Sequence, residues 1–467
     1  MPARRSLAAL ALIFSFVASL QCRRATGVAE DPLDREALDA LTAYVRIDTS
    51  NPPGNESAGA KYLQQLLAKD GIPSQLIGSN PQRQSLYARL SSGANEKALL
   101  LLHHIDVVPA IRSEWTKPPF DGVTQGGYLF GRGALDIKSL GIAELMSVIE
   151  MKRRKLPLRR DVILLAVADE ELGGVHGCEE LLQQHPELFA SVGYVLNEGG
   201  YAETIVDHVS FWGIEVQQKV PLWIRLEAKG QPGHGAAPPD DGGSVARLVR
   251  ALAEVDRIDT PYRLTPAVER HFHAAGKARV DERGEVLRGI HDPMDLDRVR
   301  RVLSPGYRAL LRDTIAITHI DAGGSVNSIP ARASADIDIR LLPDEKAEPM
   351  LERVRAAAGK NATVNVLLAG EPVAETPIDT DLYRVVSSDM LASDPGSKSG
   401  PIVGAGTSDS RFFRARGIVA YGIAPFKVNY YDADTVHAPD ERIRTRFFTE
   451  GVRLVRTIVH DFAAREP

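Results

Sequence analysis

Cysteine is almost missing from this chain. Its 467 residues include two, Cys22 and Cys178, which excludes a disulfide framework and leaves too few thiolates for a structural zinc site. With Cys22 at the edge of an N-terminal leader, the body keeps one thiol, read as a small packed residue. Positive charge is not in excess. The formal net charge is -5, so the chain carries no electrostatic footprint for nucleic acid. Its most basic stretch, Lys152–Lys155 with Arg159 and Arg160, reads as a solvated helix end. Long apolar runs are missing too. The one candidate, Leu7 to about Leu20, is shorter than the about 20 residues a membrane span needs. Behind Arg4 and Arg5 it reads as a secretory signal peptide over residues 1–29, with a lipidated Cys22 or a retained anchor as alternatives. An exported protein, periplasmic or secreted, is the expectation. No internal repeat and no low-complexity tract appears.

What remains is an ordinary globular composition, 44% hydrophobic and 25% charged. Ala98–Leu102, Asp161–Ala168 and Tyr194–Leu196 are apolar runs with the look of buried strands. They end at His103-His104, Asp169-Glu170-Glu171 and Asn197-Glu198. Helical patterns lie before the first of them, at Asp34–Ile47, and between the first and second, at Gly141–Met151. This order predicts an α/β sheet with its site at the carboxyl ends of the strands. Leu222–Ala228 and Ala333–Leu341 instead alternate like half-buried antiparallel strands, around helical stretches at Ser244–Val255 and Glu345–Ala358. We therefore expect a catalytic domain in two parts, 30–214 and 373–467, with an α+β domain inserted over 215–372. Tyr262–Tyr307 reads as an irregular helical embellishment of that insert.

The informative residues are His104, Asp136, Glu171, Glu198 and His437, in LLHHIDVVP, GRGALDIKS, VADEELGG, LNEGG and TVHAPDE. Imidazoles and carboxylates at strand ends suit borderline divalent metals. Five ligands with one shared carboxylate fit two ions better than one, and paired ions are hydrolytic machinery. Asp136 would bridge with its two oxygens; a helix N-cap is the plainer use. Asp106, two residues after His104 and facing the same side, would orient the imidazole or hold a neighbouring ligand. His103 faces the other way and reads as a packed side chain. Glu170 and Glu171 would repel each other unless cations separate them, so Glu171 is expected to ligate and Glu170 to serve as general base. His234, in the loop GQPGHGAAPP, could donate to an oxyanion. Arg340 ends DIDIR with a fork suited to a carboxylate; a structural ion pair is the alternative. Asn327 and Thr407 sit in Gly-bounded turns suited to polar substrate contacts.

Taken together, HIDVVP (104–109), GRGALDIK (131–138), DEELGG (169–174), NEGG, GHG, NSIP and HAPDE resemble the M20 metallopeptidase family over nearly the whole mature chain. The form of these motifs is most similar to the branch of carboxypeptidase S and the N-acyl amino acid hydrolases. The resemblance implies a zinc-peptidase-like α/β/α sandwich with a ferredoxin-like lid that dimerises. It implies two Zn2+ ions, with Co2+ or Mn2+ as substitutes. His104 and Glu198 would hold one ion, Glu171 and His437 the other, and Asp136 would bridge them. It also implies a cis peptide at Asp136-Ile137, and a lid histidine, His234, reaching the active site of the partner subunit. Position 103 departs from the pattern, with His where relatives commonly have Gly.

The function expected is hydrolysis of a peptide or N-acyl amide bond beside a free amino-acid carboxylate, of carboxypeptidase or aminoacylase type. A non-catalytic exported metal-binding protein would need the ligands but not Glu170. A dinuclear phosphoesterase would want more basic residues around the site.

Overall fold

The computed structural model describes residues 31–465, so the leader and Cys22 lie outside it. Among the described residues no helix is long and apolar enough to cross a membrane.

Two sheets organise the chain. The larger has nine strands. Its centre is Glu96–His104, flanked in parallel by Arg160–Val167 on one side and Val192–Asn197 on the other. Val419–Gly422 extends it in parallel beyond Val192–Asn197. The central strands are buried on both faces. Leu99 and Leu101 enter one core, Leu100 and Leu102 the other, and all four are fully buried. Each such side chain contributes roughly 1.5–3 kcal/mol of burial. Helices Pro32–Val45, Lys138–Arg153, Asp381–Ser393 and Thr445–Ala463 share the first core, while Glu180–Gln184 and Ser410–Arg414 lie against the second. The parallel strands place their carboxyl ends, with His104, Asp169 and Glu198, along one rim.

The smaller sheet is antiparallel. Its strands are Val220–Lys229, Thr314–Asp321, Arg332–Leu341 and Thr363–Ala369. The first strand in the chain lies between the third and the fourth, and the second is at the edge beside the third. Helices Gly243–Asp256 and Ala347–Ala358 cover one face. This βαββαβ path is the ferredoxin-like arrangement. The other face presents Trp223, Asp338 and Arg340, because Trp223 lies opposite Asp338 and Arg340 is two residues along.

The helical stretch after Tyr262 is where the structure departs from expectation. Its helices Pro266–Gly276 and Glu282–Gly289 pack on the edge of the large sheet, not on the insert. Val268, Phe272 and Leu287 meet Phe211, Ile402 and Val403 in a separate core. The small sheet has no apolar face to offer, since its two helices already fill it.

Candidate metal centre

The sequence separates the site residues by more than three hundred positions, and the rim of the large sheet reunites them. His104 ends its strand fully buried. Its Nδ1–H donates to the backbone carbonyl of Asp106 at 2.9 Å, which fixes the tautomer and leaves Nε2 for a ligand. That Nε2 lies 3.1 Å from Asp136 Oδ1 and 3.7 Å from Glu198 Oε1. His437 Nε2 lies 3.0 Å from Asp136 Oδ2 and 3.3 Å from Glu171 Oε2. The two oxygens of Asp136 are thus divided between two imidazoles, each with its own glutamate. Two three-residue groups, His104–Asp136–Glu171 and His104–Glu170–Glu198, have ligand atoms within 4.8 Å of one another.

The Asp106 carboxylate does more than orient an imidazole. It stands 3.6 Å from His104 Nδ1. Its closer partners are the backbone N–H groups of Glu170 and Glu171, at 3.2 and 3.1 Å, and the Asn51 amide at 2.9 Å. Asp106 therefore pins the Glu-Glu turn. Asp169 supports the same turn from below. It adopts a left-handed φ of 73° and accepts from Arg83 at 2.6 Å and from the His176 N–H at 2.9 Å. Gly174, with φ +67°, lets the turn close, since a Cβ there would fall 2.2 Å from Asp409 Oδ1.

The loop carrying Asp136 is built around Glu441. That buried carboxylate accepts from the N–H groups of Gly133, Leu135 and Asp136 at 3.1, 2.7 and 3.1 Å, and from Arg132 at 2.6 Å. The Asp136–Ile137 peptide is cis. Glu441 closes the same HAPDE motif that supplies His437, and Asn51 lies in the Pro-rich loop TSNPPGNES. Sequence reading assigned neither a role, because both act through backbone groups that only the fold brings near.

Charge decides what the cluster wants. Burial, then the charge of Glu198, holds the Glu170 carboxyl well above its usual range. Burial also lifts Glu198 and Glu171. Burial opposes a charged His104, but its contacts with Asp106 and Asp136 outweigh this and raise its pKa well above that of a free imidazole. Hydrogen bonds to Asp136 and Glu171 push His437 up to about 10. Four carboxylates thus meet with only two imidazoles to balance them, and Glu171 Oε1 is buried without a hydrogen-bond partner. A donor set of this kind, short of positive charge and with an orphaned oxygen, fits divalent cations.

The cluster opens into a cavity of about 1520 Å3 that Arg340 and Thr407 also line. Asp338 accepts from the Arg340 fork at 2.7 and 3.0 Å, and Thr407 Oγ1 accepts from Nη1 at 2.8 Å. The ion pair weighed as an alternative for Arg340 is therefore present, with one edge of the fork turned to Thr407. His234 and Asn327 are elsewhere. They lie together on an exposed two-stranded ribbon, where His234 pairs with Ser328 and Gly235 N–H donates to Asn327 at 2.8 Å. A single chain does not bring them to the cluster. His103 packs behind its strand, Nδ1 2.8 Å from Glu144, both fully buried.

Known proteins resemble this chain in sequence and in fold. The model of peptidase family M20/M25/M40 matches residues 100–461. The chain is 27% identical over 429 residues to the N-fatty-acyl-amino acid synthase/hydrolase PM20D1 of Xenopus tropicalis, covering 88% of this chain and 82% of that protein. It is 24% identical over 437 residues to aminoacylase-1 of Homo sapiens, covering 92% and 96%. Among solved structures, the M20 family metallo-carboxypeptidase Sso-CP2 from Sulfolobus solfataricus aligns with a TM-score of 0.69 at 21% identity, over 92% of this chain and 99% of that one. The dipeptidase Dug1p from Saccharomyces cerevisiae aligns at 0.71 with 14% identity, over 91% and 95%. These likenesses carry the fold.

Proposed function

The chain belongs to peptidase family M20/M25/M40, hydrolases of the metallopeptidase and aminoacylase type, and we propose that it cleaves the amide of an N-acyl amino acid or small peptide beside a free carboxylate. The observation that carries this reading is Asp136, with one oxygen toward His104 and the other toward His437. Two zinc ions, or Co2+ or Mn2+ in their place, would be held by His104, Asp136 and Glu198 and by His437, Asp136 and Glu171. When bound, such a pair supplies Lewis acidity to a carbonyl oxygen and a water molecule.

The protein's own groups do the rest. Glu170, left outside the two assigned ligand sets, takes a proton from water and delivers it to the departing nitrogen. Its raised affinity for protons favours holding that proton between the two transfers. Asp106 fixes where Glu170 stands. Arg340, oriented by Asp338, presents its Thr407 edge to the substrate carboxylate. A cavity near 1520 Å3 exceeds what a dipeptide fills and suits a bulky acyl arm, in keeping with the acyl substrates in the relatives' names.

Glu170→Ala should lower turnover by about 10^4 while retaining its zinc. Activity within tenfold of wild type would remove Glu170 from the role of base. His234 on its exposed ribbon supports a homodimer in which it acts across subunits. Mixing His234→Ala with Glu170→Ala protein should then restore activity that neither has alone, and no restoration would end that reading. The leader supports export, which fractionation of expressing cells tests directly.

A further inference from the structure

We infer that Arg411 is a positioning residue: it fixes the turn that carries Glu170 in register with the Thr407 edge that receives the substrate carboxylate. This rests on reading Glu170 as the base and Arg340 with Thr407 as the carboxylate grip, and it adds what holds the two at one spacing.

The turn after Asp169 is fastened on two sides. Asp106 accepts from the N–H groups of Glu170 and Glu171, as described above. On the carbonyl side, the Gly173 N–H donates to the Glu170 carbonyl at 2.8 Å. The Gly173 carbonyl in turn accepts from Arg411 Nη2. One residue therefore stands between the guanidinium and the backbone of the base. Gly174 closes against the same short helix, since a Cβ there would meet Asp409 and, at 2.9 Å, the Phe412 ring.

Arg411 ends a buried run, Ser408 to Arg411, that follows directly on Thr407. The residues before it tie down other parts of the site. Thr407 Oγ1 accepts from Arg340 Nη1 at 2.8 Å. The Ser408 carbonyl accepts from the Gln218 amide at 3.1 Å, and the Ser408 hydroxyl donates back to it at 3.2 Å, where the chain crosses to the small sheet. Ser410 Oγ accepts at 3.0 Å from Asn197, the neighbour of Glu198. One short run thus links the carboxylate grip to the base. Close packing leaves such a buried, hydrogen-bonded run little slack. A substrate held at one end and attacked beside the other must carry a set number of bonds between its carboxylate and the nitrogen that departs. An α-amino acid places one carbon there and a β-amino acid two. A misplacement of about 1 Å costs about 10^2 in rate, so the two should be sharply discriminated.

Two matched substrates read the spacing. On metal-loaded wild type, Arg411→Met and Arg411→Lys, kcat and KM are measured for N-hexanoyl-alanine and N-hexanoyl-β-alanine. Wild type should favour the α compound by about 10^2 in kcat/KM. Arg411→Met should lower kcat for the α compound by about 10^2, leave its KM within about threefold, and change the β compound little, so that the preference falls toward one. Arg411→Lys keeps the buried charge and a donor, which guards folding, and should lose only about tenfold in kcat at the wild-type KM. Where Arg411→Met does not fold, Arg411→Lys carries the test. No preference in wild type, equal losses for both compounds, or a rise in KM in place of a fall in kcat overturns the proposal. If wild type hydrolyses neither compound, the hydrolase reading fails instead. Hydrogen exchange of the metal-free proteins over 170–174 then decides for Arg411, because the Gly173 and Gly174 N–H groups donate within the turn. Exchange there should quicken by about tenfold in Arg411→Lys, and an unchanged rate sinks it.

Discussion

Asp136 shows how a residue acquires its role from neighbours the sequence keeps far away. On its own it reads as a helix cap, yet Ile137 takes the capping position and no side chain caps the helix Lys138–Arg153. Its oxygens are instead committed to His104 and His437. This commitment has a consequence for protons. The pKa of His437 lies near 10 because Asp136 and Glu171 accept from it. Raised above the free imidazole value, that charge stabilises the metal-free protein fully below a pH of about 6.5, and the contribution is lost as pH rises through about 10. A metal ion needs the neutral ring, so binding at pH 8 must expel the proton, and affinity should climb with pH. Calorimetric titration of metal into metal-free protein, in two buffers of different ionisation enthalpy, should give different apparent enthalpies. Equal enthalpies would show that the imidazole was already neutral. The clustered residues stand out in sequence where a charged or imidazole side chain ends an apolar run, as at His104 and Glu198. Glu441 and Asn51 do not, because what they bind is backbone.

At the scale of elements, the strands were plain wherever both faces are buried, since Ala98–Leu102 leaves no other reading. The helix behind the central strand holds a subtler fit. Gly141 faces His103, and a Cβ at Gly141 would fall 2.5 Å from the imidazole. A histidine on that strand therefore requires a glycine on that helix, and Glu144, one turn on, receives the ring Nδ1. Gly141→Ala should destabilise the protein by about 1–3 kcal/mol through overpacking, measured by urea unfolding. In a His103→Gly background the clash is gone, and the same change should stabilise by up to about 1 kcal/mol through helix propensity. Equal effects in both backgrounds would show that the two side chains do not share this space. The helices after Tyr262 were assigned to the wrong partner for a related reason. An amphipathic stripe shows that an apolar face exists, not which of two sheets still lacks a cover.

At the scale of the molecule, the clustered residues come from five separate places in a chain that enters the small sheet at Val220, touches the large sheet again with the helices after Tyr262, and returns to it after Ala369. That return was readable because His437 made sense only beside the earlier ligands. His234, expected at the site of a partner subunit, lies in this chain on an exposed ribbon away from the cluster. Cations at the cluster would tie residue 104 to residue 437, so metal should act as a staple on the large sheet alone. At a free concentration 1,000 times the dissociation constant it adds about 4 kcal/mol. Chelation should therefore loosen unevenly. Hydrogen exchange should quicken in 131–137 and 429–441, which hold Asp136 and the half-exposed His437. It should stay unchanged in Val220–Lys229 and Arg332–Leu341, whose core contains no ligand. Uniform loosening of both sheets would mean that the metals hold the whole chain together, and no change in either would mean that the cluster does not depend on cations for its shape.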